Sequence, residues 1–206
     1  MLTIGLTGPT GAGKGTVAAL LAEMGIPSID TDKVYRELLV PPSACLTDLA
    51  DRFGREILTE DGGLDRTALA NRVFAPGKEA ELAALNAIAH PHILGEVRRR
   101  LAVYSESWSK TGEPIAVLVD APQLYESGFD SECDLICSVL APKRDRLRRI
   151  MERDGISEER AKARMQAQKS DSFYRKAGYL LVNDGDLSSL RKQAQEFYRY
   201  VRQIGG

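Results

Sequence analysis

Thr3-Ile4-Gly5-Leu6-Thr7-Gly8-Pro9-Thr10-Gly11-Ala12-Gly13-Lys14-Gly15-Thr16, followed at helical spacing by Val17, Leu20, Leu21 and Met24, sets an apolar strand, a glycine-rich turn and a helix in immediate succession. Glycines at 8, 11 and 13 let the backbone turn sharply and aim amide N–H groups inward, and Lys14 adds a mobile ammonium. A helix that begins at the end of such a turn lends its N-terminal dipole to an anion. A solvated glycine-rich turn would explain the composition, but not the strand before it and the helix after it. The stretch reads as a phosphate-binding loop. Gly8, Gly11, Ala12, Gly13, Lys14, Gly15 and Thr16 are its contact residues, and a polyphosphate is its ligand.

Gly15 stands where a Ser or Thr ordinarily offers a hydroxyl to Mg²⁺. In this respect Gly13-Lys14-Gly15-Thr16 resembles the loop of adenylate kinase-like nucleotide kinases, where the metal is held largely through water and phosphate oxygens. Mg²⁺ keeps its waters readily, so the substitution is tolerable. Thr16 still provides a hydroxyl near a phosphate oxygen and the metal.

Working outward, four further apolar runs read as buried strands: Ile26 to Ile29, Ile115 to Val119, Leu135 to Leu140 and Tyr179 to Val182. With the first strand they predict an α/β fold with a five-stranded parallel sheet covered on both faces, a three-layer sandwich. Ligands of such sheets gather beyond the C-terminal strand ends, where the glycine loop, Asp30 with Asp32, and Asp120 all emerge. Two insertions interrupt the alternation. Residues 35–111 carry amphipathic segments at Leu46 to Phe53 and Ala80 to Ile88 and read as a helical subdomain, with Asp65 a candidate cap for a helix over Arg66 to Val73. Residues 142–176 are helical and basic: Lys143, Arg144, Arg146, Arg148, Arg149, Arg153, Arg160, Lys162 and Arg164 outnumber the carboxylates among them.

The chain has 206 residues, 43% of them hydrophobic, enough for one domain with inserted parts. Its 28 basic and 29 acidic residues give a net charge of −1, so no overall field recruits nucleic acid or an anionic membrane. The apolar runs are short and the first is a strand without a basic leader, so neither a signal peptide nor a membrane span is expected, and the cytoplasm is the expected compartment. Cys45, Cys133 and Cys137 form no Cys-x-x-Cys pair and have only His90 and His92 as nitrogen ligands nearby in kind. They read as core thiols rather than as a zinc or disulfide framework.

Three constellations outside the loop could do chemistry. Arg149 and Arg153 lie four apart on one helix face, a spacing at which both guanidinium groups could reach one polyphosphate. That suggests a lid which excludes water during phosphoryl transfer from ATP; the alternative is a solvated, salt-bridged helix. Asp30 and Asp32 follow the second strand, where a carboxylate can accept the proton of an attacking hydroxyl. The alternative there is that Asp32 or Thr31 caps the helix starting near Lys33. Asp120 ends the third strand at the Walker B position, suited to orient Mg²⁺ directly or through water, although Asp120-Ala121-Pro122 also has turn composition.

The ordered set resembles the dephospho-CoA kinase family: the loop; Ile29-Asp30-Thr31-Asp32; Phe53-Gly54; Asp61-Gly62-Gly63-Leu64-Asp65-Arg66; Val73-Phe74; His90-Pro91; Asp120-Ala121-Pro122-Gln123-Leu124-Tyr125-Glu126; Arg149 to Asp154; Gln168; and Asn183. The resemblance covers almost all of the chain. It implies a P-loop kinase that transfers a phosphoryl group from ATP, with Mg²⁺, to the ribose 3′-hydroxyl of the small molecule dephospho-CoA. Lys14, Asp32 and Arg149 would then be catalytic, Asp32 as the base, with Asp30 supporting. Arg149, Arg153 and Asn183 would contact ATP, His90 and Pro122 would contact the acceptor with Asp32, and Thr16 and Asp120 would serve the metal. The implied organisation is one kinase domain over 1–206. Its core is 1–34, 112–141 and 177–206, its helical acceptor-binding insertion 35–111 and its basic lid 142–176, in a monomer or weak homo-oligomer.

Read alone, His90 before Pro91 could instead end a helix. Gln123 stands where the family commonly has leucine, and Lys176-Ala177-Gly178-Tyr179 lacks an acidic residue often found there. Two rivals stay open: another P-loop kinase of a nucleoside monophosphate or small alcohol, and a nucleotide-dependent switch, although no Asn-Lys-x-Asp guanine-recognition motif is present.

Overall fold

A five-stranded sheet in the order β2-β3-β1-β4-β5 organises the larger part of the chain in the computed structural model, which describes every residue except Pro76 and Gly206. β1 (Leu2–Thr7) leads through the glycine loop into α1 (Lys14–Ala22), and β2 (Ser28–Asp30) follows. The strands fall where the apolar runs predict, each within two residues of its expected ends. β1 is central, pairing in parallel with β3 (Ala116–Asp120) on one side and β4 (Leu135–Leu140) on the other, while β4 pairs with β5 (Tyr179–Val182). The chain thus departs from β1 first toward β3 and later toward β4. β1 is therefore the switch point of the sheet, and the loop hangs from its C-terminal end, where such sheets bind ligands.

The chain divides into two compact units, Met1–Ile29 with Leu101–Gly206, and Asp30–Arg100. In the first, β3 is closed off on both faces, with Ala116, Val117, Leu118 and Val119 all at 0% exposure, which explains its uninterrupted apolar run. One face carries Val17, Leu20 and Leu21 of α1. It also carries Leu190, Ala194, Phe197 and Val201 of the terminal helix, Leu187–Gly205, at helical spacing. Full burial of a side chain the size of Phe197 contributes about 1.5–3 kcal/mol.

The second unit is helical: α2 (Thr31–Leu38), α3 (Ala44–Phe53), α4 (Arg66–Val73) and the start of the long α5 (Glu79–Thr111). Its own core joins Leu46, Leu49 and Phe53 to Ile57, Leu69, Val73 and Leu85. Asp65 caps α4 as expected, accepting from the amides of Thr67 and Ala68 at 2.9 Å each. Two expectations are corrected. α2 is capped by Asp30, whose carboxylate accepts from the Lys33 amide at 3.0 Å, and not by Asp32 or Thr31, because the helix starts directly at the strand end. His90 does not end a helix: α5 runs through Pro91, the missing hydrogen bond of one proline being affordable within 33 residues of helix.

The basic segment forms α6 (Lys143–Asp154), α7 (Glu158–Gln166) and α8 (Asp171–Tyr174), ahead of α9, the terminal helix named above. Cys137 is buried in β4, Cys45 is buried in α3, and Cys133 is half-buried just before β4. Burial pushes the Cys133 thiol up to about 12 and the Cys45 thiol up to about 11, so all behave as protonated apolar groups.

A candidate active site around the phosphate loop

A loop that aims its amides inward must turn its carbonyls outward, and a carbonyl without a partner is costly in a partly buried place. Here the carbonyls of Gly8, Thr10, Gly11 and Ala12 each find a side chain, while that of Pro9 accepts from the Ala12 amide at 3.2 Å. Lys14 Nζ donates back to Gly8 O at 3.1 Å. Arg146 Nε donates to Thr10 O at 2.9 Å, and Arg149 Nη1 to Gly11 O at 3.3 Å and Ala12 O at 3.4 Å. Asn183 Nδ2 donates to Ala12 O at 2.8 Å, and its own Oδ1 accepts from Arg149 Nη2 at 3.2 Å. The Thr10 amide is taken by Gln168 Oε1 at 2.8 Å. The loop is held in shape by the segment 142–176 and by the turn after β5, parts of the chain more than a hundred residues away.

Two glycines show how tightly. A Cβ on Gly8 (φ +143°) would lie 2.2 Å from Val139 O, and one on Gly13 (φ +102°) 2.4 Å from Asn183 Nδ2. Both the backbone angle and the space exclude any other residue. Gly15 is different: nothing lies within 4 Å of its Cβ position, so its lack of a hydroxyl is not imposed by packing.

Arg146 is the site residue that sequence reasoning passed over. It is 3% exposed, and besides Thr10 O it reaches Asp171 Oδ1 at 2.9 Å. In the sequence it is one of many arginines of α6; only its burial sets it apart. Arg149 and Arg153, predicted as a pair, part ways. Arg149 faces the loop, whereas Arg153 forms a two-pronged pair with Asp154 at 2.7 and 2.9 Å, a carboxylate that Arg164 also shares. Around the base of this segment lies a cavity of about 590 Å³ whose lining sets the cations Lys143, Arg144, Arg146, Lys162 and Lys169 against the single carboxylate of Asp171.

Asp120 closes β3 in register with Leu6 of β1, on the strand directly beside the one that bears the loop. Pro122 follows it, half-buried, and Leu124 turns into the core while Gln123 faces solvent. Lys176 Nζ sits 3.7 Å from the ring centre of Tyr125 and 4.2 Å from that of Phe173, a cation–aromatic cluster joining the start of β5 to this stretch. This is how the Lys176–Tyr179 junction is anchored without an acidic residue. Desolvation raises the Tyr125 phenol above its ordinary range.

Mg²⁺ is a fair fit to what the chain offers here. Among the described residues no group of three His, Cys, Asp or Glu could cage an ion. A carboxylate at Asp120 and the exposed Thr16 beside open space at Gly15 suit a cation that keeps several waters and takes phosphate oxygens as ligands.

In the other unit, Asp30 is committed to capping α2, while Asp32, in the first turn of that helix, is exposed. His90 is half-buried within α5, and its neighbour His92 pairs through Nε2 with Asp48 Oδ2 at 2.7 Å.

Comparison with known proteins agrees in one direction. The family model described as dephospho-CoA kinase matches residues 2–189. A dephospho-CoA kinase from Corynebacterium glutamicum is 40% identical over 197 residues, 95% of either chain. Among solved structures, TT1252 from Thermus thermophilus superposes with a TM-score of 0.75 at 34% identity, covering 97% of each chain. The dephospho-CoA kinase from Campylobacter jejuni, at 24% identity and a TM-score of 0.69 over 99% of this chain and 98% of its own, shares the fold. The same P-loop kinase architecture and a family match running from the first strand into the last helix leave one conclusion: the chain belongs to the dephospho-CoA kinase family.

Proposed function

We propose that this protein phosphorylates the ribose 3′-hydroxyl of dephospho-CoA with ATP, giving coenzyme A and ADP in the cytoplasm. The observation that carries the reading is the phosphate loop braced from outside by Arg146, Arg149, Gln168 and Asn183, in a chain of this family. In phosphoryl transfer most catalysis is positioning and electrostatics. The inward amides and Lys14 hold the β and γ phosphates of ATP. Arg149 lies against the loop carbonyls, from where its guanidinium can turn its remaining N–H groups to the transferring group. Asp32 orients the acceptor hydroxyl and takes its proton. Thr16 and Asp120 would hold Mg²⁺, which, when bound, offsets the charge that builds on the phosphate oxygens. Arg153 contributes to ATP binding only if it exchanges Asp154 for phosphate when the segment closes. His90 and Pro122 remain proposed acceptor contacts.

Among the described residues no helix is long and apolar enough to cross a membrane. Purified protein should consume Mg²⁺-ATP with dephospho-CoA and give a product heavier by one phosphoryl group, with AMP and shikimate inert. Transfer to either control instead of dephospho-CoA would keep the kinase and overturn the acceptor. ATP binding with no transfer would overturn the reaction.

A further inference from the structure

We propose that Gln193, on the terminal helix α9, is a positioning residue for ATP: its carboxamide clamps the end of β5 and so sets Asn183 and, through it, the phosphate loop. The inference rests on the reading that the loop holds the ATP phosphates, and adds what keeps one wall of that loop in place.

β5 is the outer strand on its side of the sheet. An outer strand leaves alternate N–H and C=O groups without a neighbouring strand, and where they are half-buried they need other partners. Asn183 points its amide into the sheet, to Leu140 O at 2.7 Å, so the two backbone groups of Val182, one residue earlier, face the open side. Gln193 takes both. Its Oε1 accepts from the Val182 amide at 2.9 Å, and its Nε2 donates to Val182 O at 2.8 Å. One primary amide thereby does what a peptide unit of a sixth strand would do. Glutamine has the donor and the acceptor side by side at that reach, whereas asparagine is one methylene shorter and an ionised glutamate has no donor.

The clamp has a fixed base. Gln193 lies three residues after Leu190 and four before Phe197, both buried in the core that also holds Leu181 of β5. The turn between β5 and α9 is short, and its far end is closed by Asp186, whose carboxylate accepts from the Ser189 amide at 2.8 Å. Asn183 sits between these two ties.

Asn183 in turn is packed against the loop without slack. It is 8% exposed, donates to Ala12 O at 2.8 Å and accepts from Arg149 Nη2 at 3.2 Å, and its Nδ2 would lie 2.4 Å from a Cβ on Gly13. Gly13 is the residue from which α1 starts, the helix end that faces the phosphates. Close-packed contacts pass on a displacement instead of absorbing it, so a shift of Val182 reaches the loop amides. From Gln193 to Val182, Asn183 and Ala12, every step is a covalent neighbour or a hydrogen bond of 2.8 to 2.9 Å. A side chain that only covered a sheet edge would not be joined to the loop in this way.

The test uses the whole chain and two variants: Gln193→Met, which keeps the stem and removes both bonds, and Gln193→Glu, which keeps the shape and sets a carboxylate oxygen against Val182 O. Val201→Ala, at a buried position farther along α9, is the control for lost stability alone. Calorimetric ATP affinity, the KM of ATP and of dephospho-CoA, and thermal melting are measured for each. If melting shows that Gln193→Met has not folded, Gln193→Glu decides. We expect the ATP Kd and KM to rise about five- to thirtyfold in both Gln193 variants, the range for a residue that acts on a ligand through its neighbours. The dephospho-CoA KM should stay within about twofold, and Val201→Ala should melt earlier with ATP affinity within about twofold of wild type. ATP affinity within about twofold of wild type in the folded Gln193 variants would overturn the inference while leaving the reaction standing. A loss shared by Val201→Ala would reduce Gln193 to a stability role, and a loss in Gln193→Met but not in Gln193→Glu would assign the effect to packing; either also overturns it. Wild-type protein that binds no ATP would instead remove the proposed function itself.

Discussion

Replacing Arg146 by methionine tests the bracing of the phosphate loop, because it keeps the buried stem and removes the fork. Two interactions go. The bond from Nε to Thr10 O, made by a charged donor 3% exposed, is of the class worth about 1.5–3 kcal/mol. The pair with Asp171 is worth less: that carboxylate is 37% exposed and can recover water, so about 1 kcal/mol or below is the fair figure. The expected loss of stability is about 2–4 kcal/mol, read from urea midpoints by linear extrapolation.

A structural buttress alone would stop there. If Arg146 also keeps the loop amides aimed inward, calorimetric ATP affinity should fall about tenfold, equivalent to about 1.4 kcal/mol of the same bond. Arg146→Lys should recover little, since one ammonium cannot serve Thr10 O and Asp171 at their separate positions. A cycle with Asp171→Ala should show coupling of about 0.5–1 kcal/mol. Stability within about 0.5 kcal/mol of wild type together with ATP affinity within about twofold would refute the reasoning.

Other expectations follow from the same geometry. Lys14→Ala should nearly abolish turnover, and Asp32→Asn should lower kcat about a hundredfold or more with ATP affinity within about threefold; wild-type turnover by Asp32→Asn would remove it as the base. Arg149→Ala should weaken ATP binding by about tenfold or more, whereas Arg153→Ala should change it less than about threefold, because Asp154 already holds that guanidinium; equal losses in an ATP titration would contradict the contrast. Glu96 is held down at about 2 by hydrogen bonds from Arg99 and then Arg100. Its folded pKa lies below its unfolded one, so its contribution is complete above the ordinary carboxylate range and fades as pH falls toward about 2. The urea-midpoint gap between wild type and Glu96→Gln should therefore narrow from about pH 5.5 to about pH 3, and a constant gap would disprove the link.

Much was legible because local chemistry decided it. β1 with its loop and α1 could be read from glycine spacing and apolar periodicity, since only glycine serves at Gly8 and Gly13 and since a buried parallel strand needs an unbroken apolar run. Asp65 as a cap follows from a carboxylate three residues before the end of a helix's first turn. Helix starts with two nearby aspartates were less readable: Asp30 rather than Asp32 caps α2 because the strand ends one residue before the helix, and a one-residue difference leaves no periodic signal. Pro91 misled for a similar reason, as the proline rule is local while the helix through it is held by the packing of its other turns.

By itself the sequence determined the class of sheet, the phosphate loop, the acidic strand ends and the presence of a basic helical segment, all consequences of short-range spacing. Which arginine of that segment is buried against Thr10 O, which reaches Gly11 and Ala12, and which is spent on Asp154 was decided only in three dimensions. Identical side chains three and four residues apart differ only in what the rest of the chain brings to them. A contact between residues 10 and 146 costs loop closure and desolvation that no local pattern records.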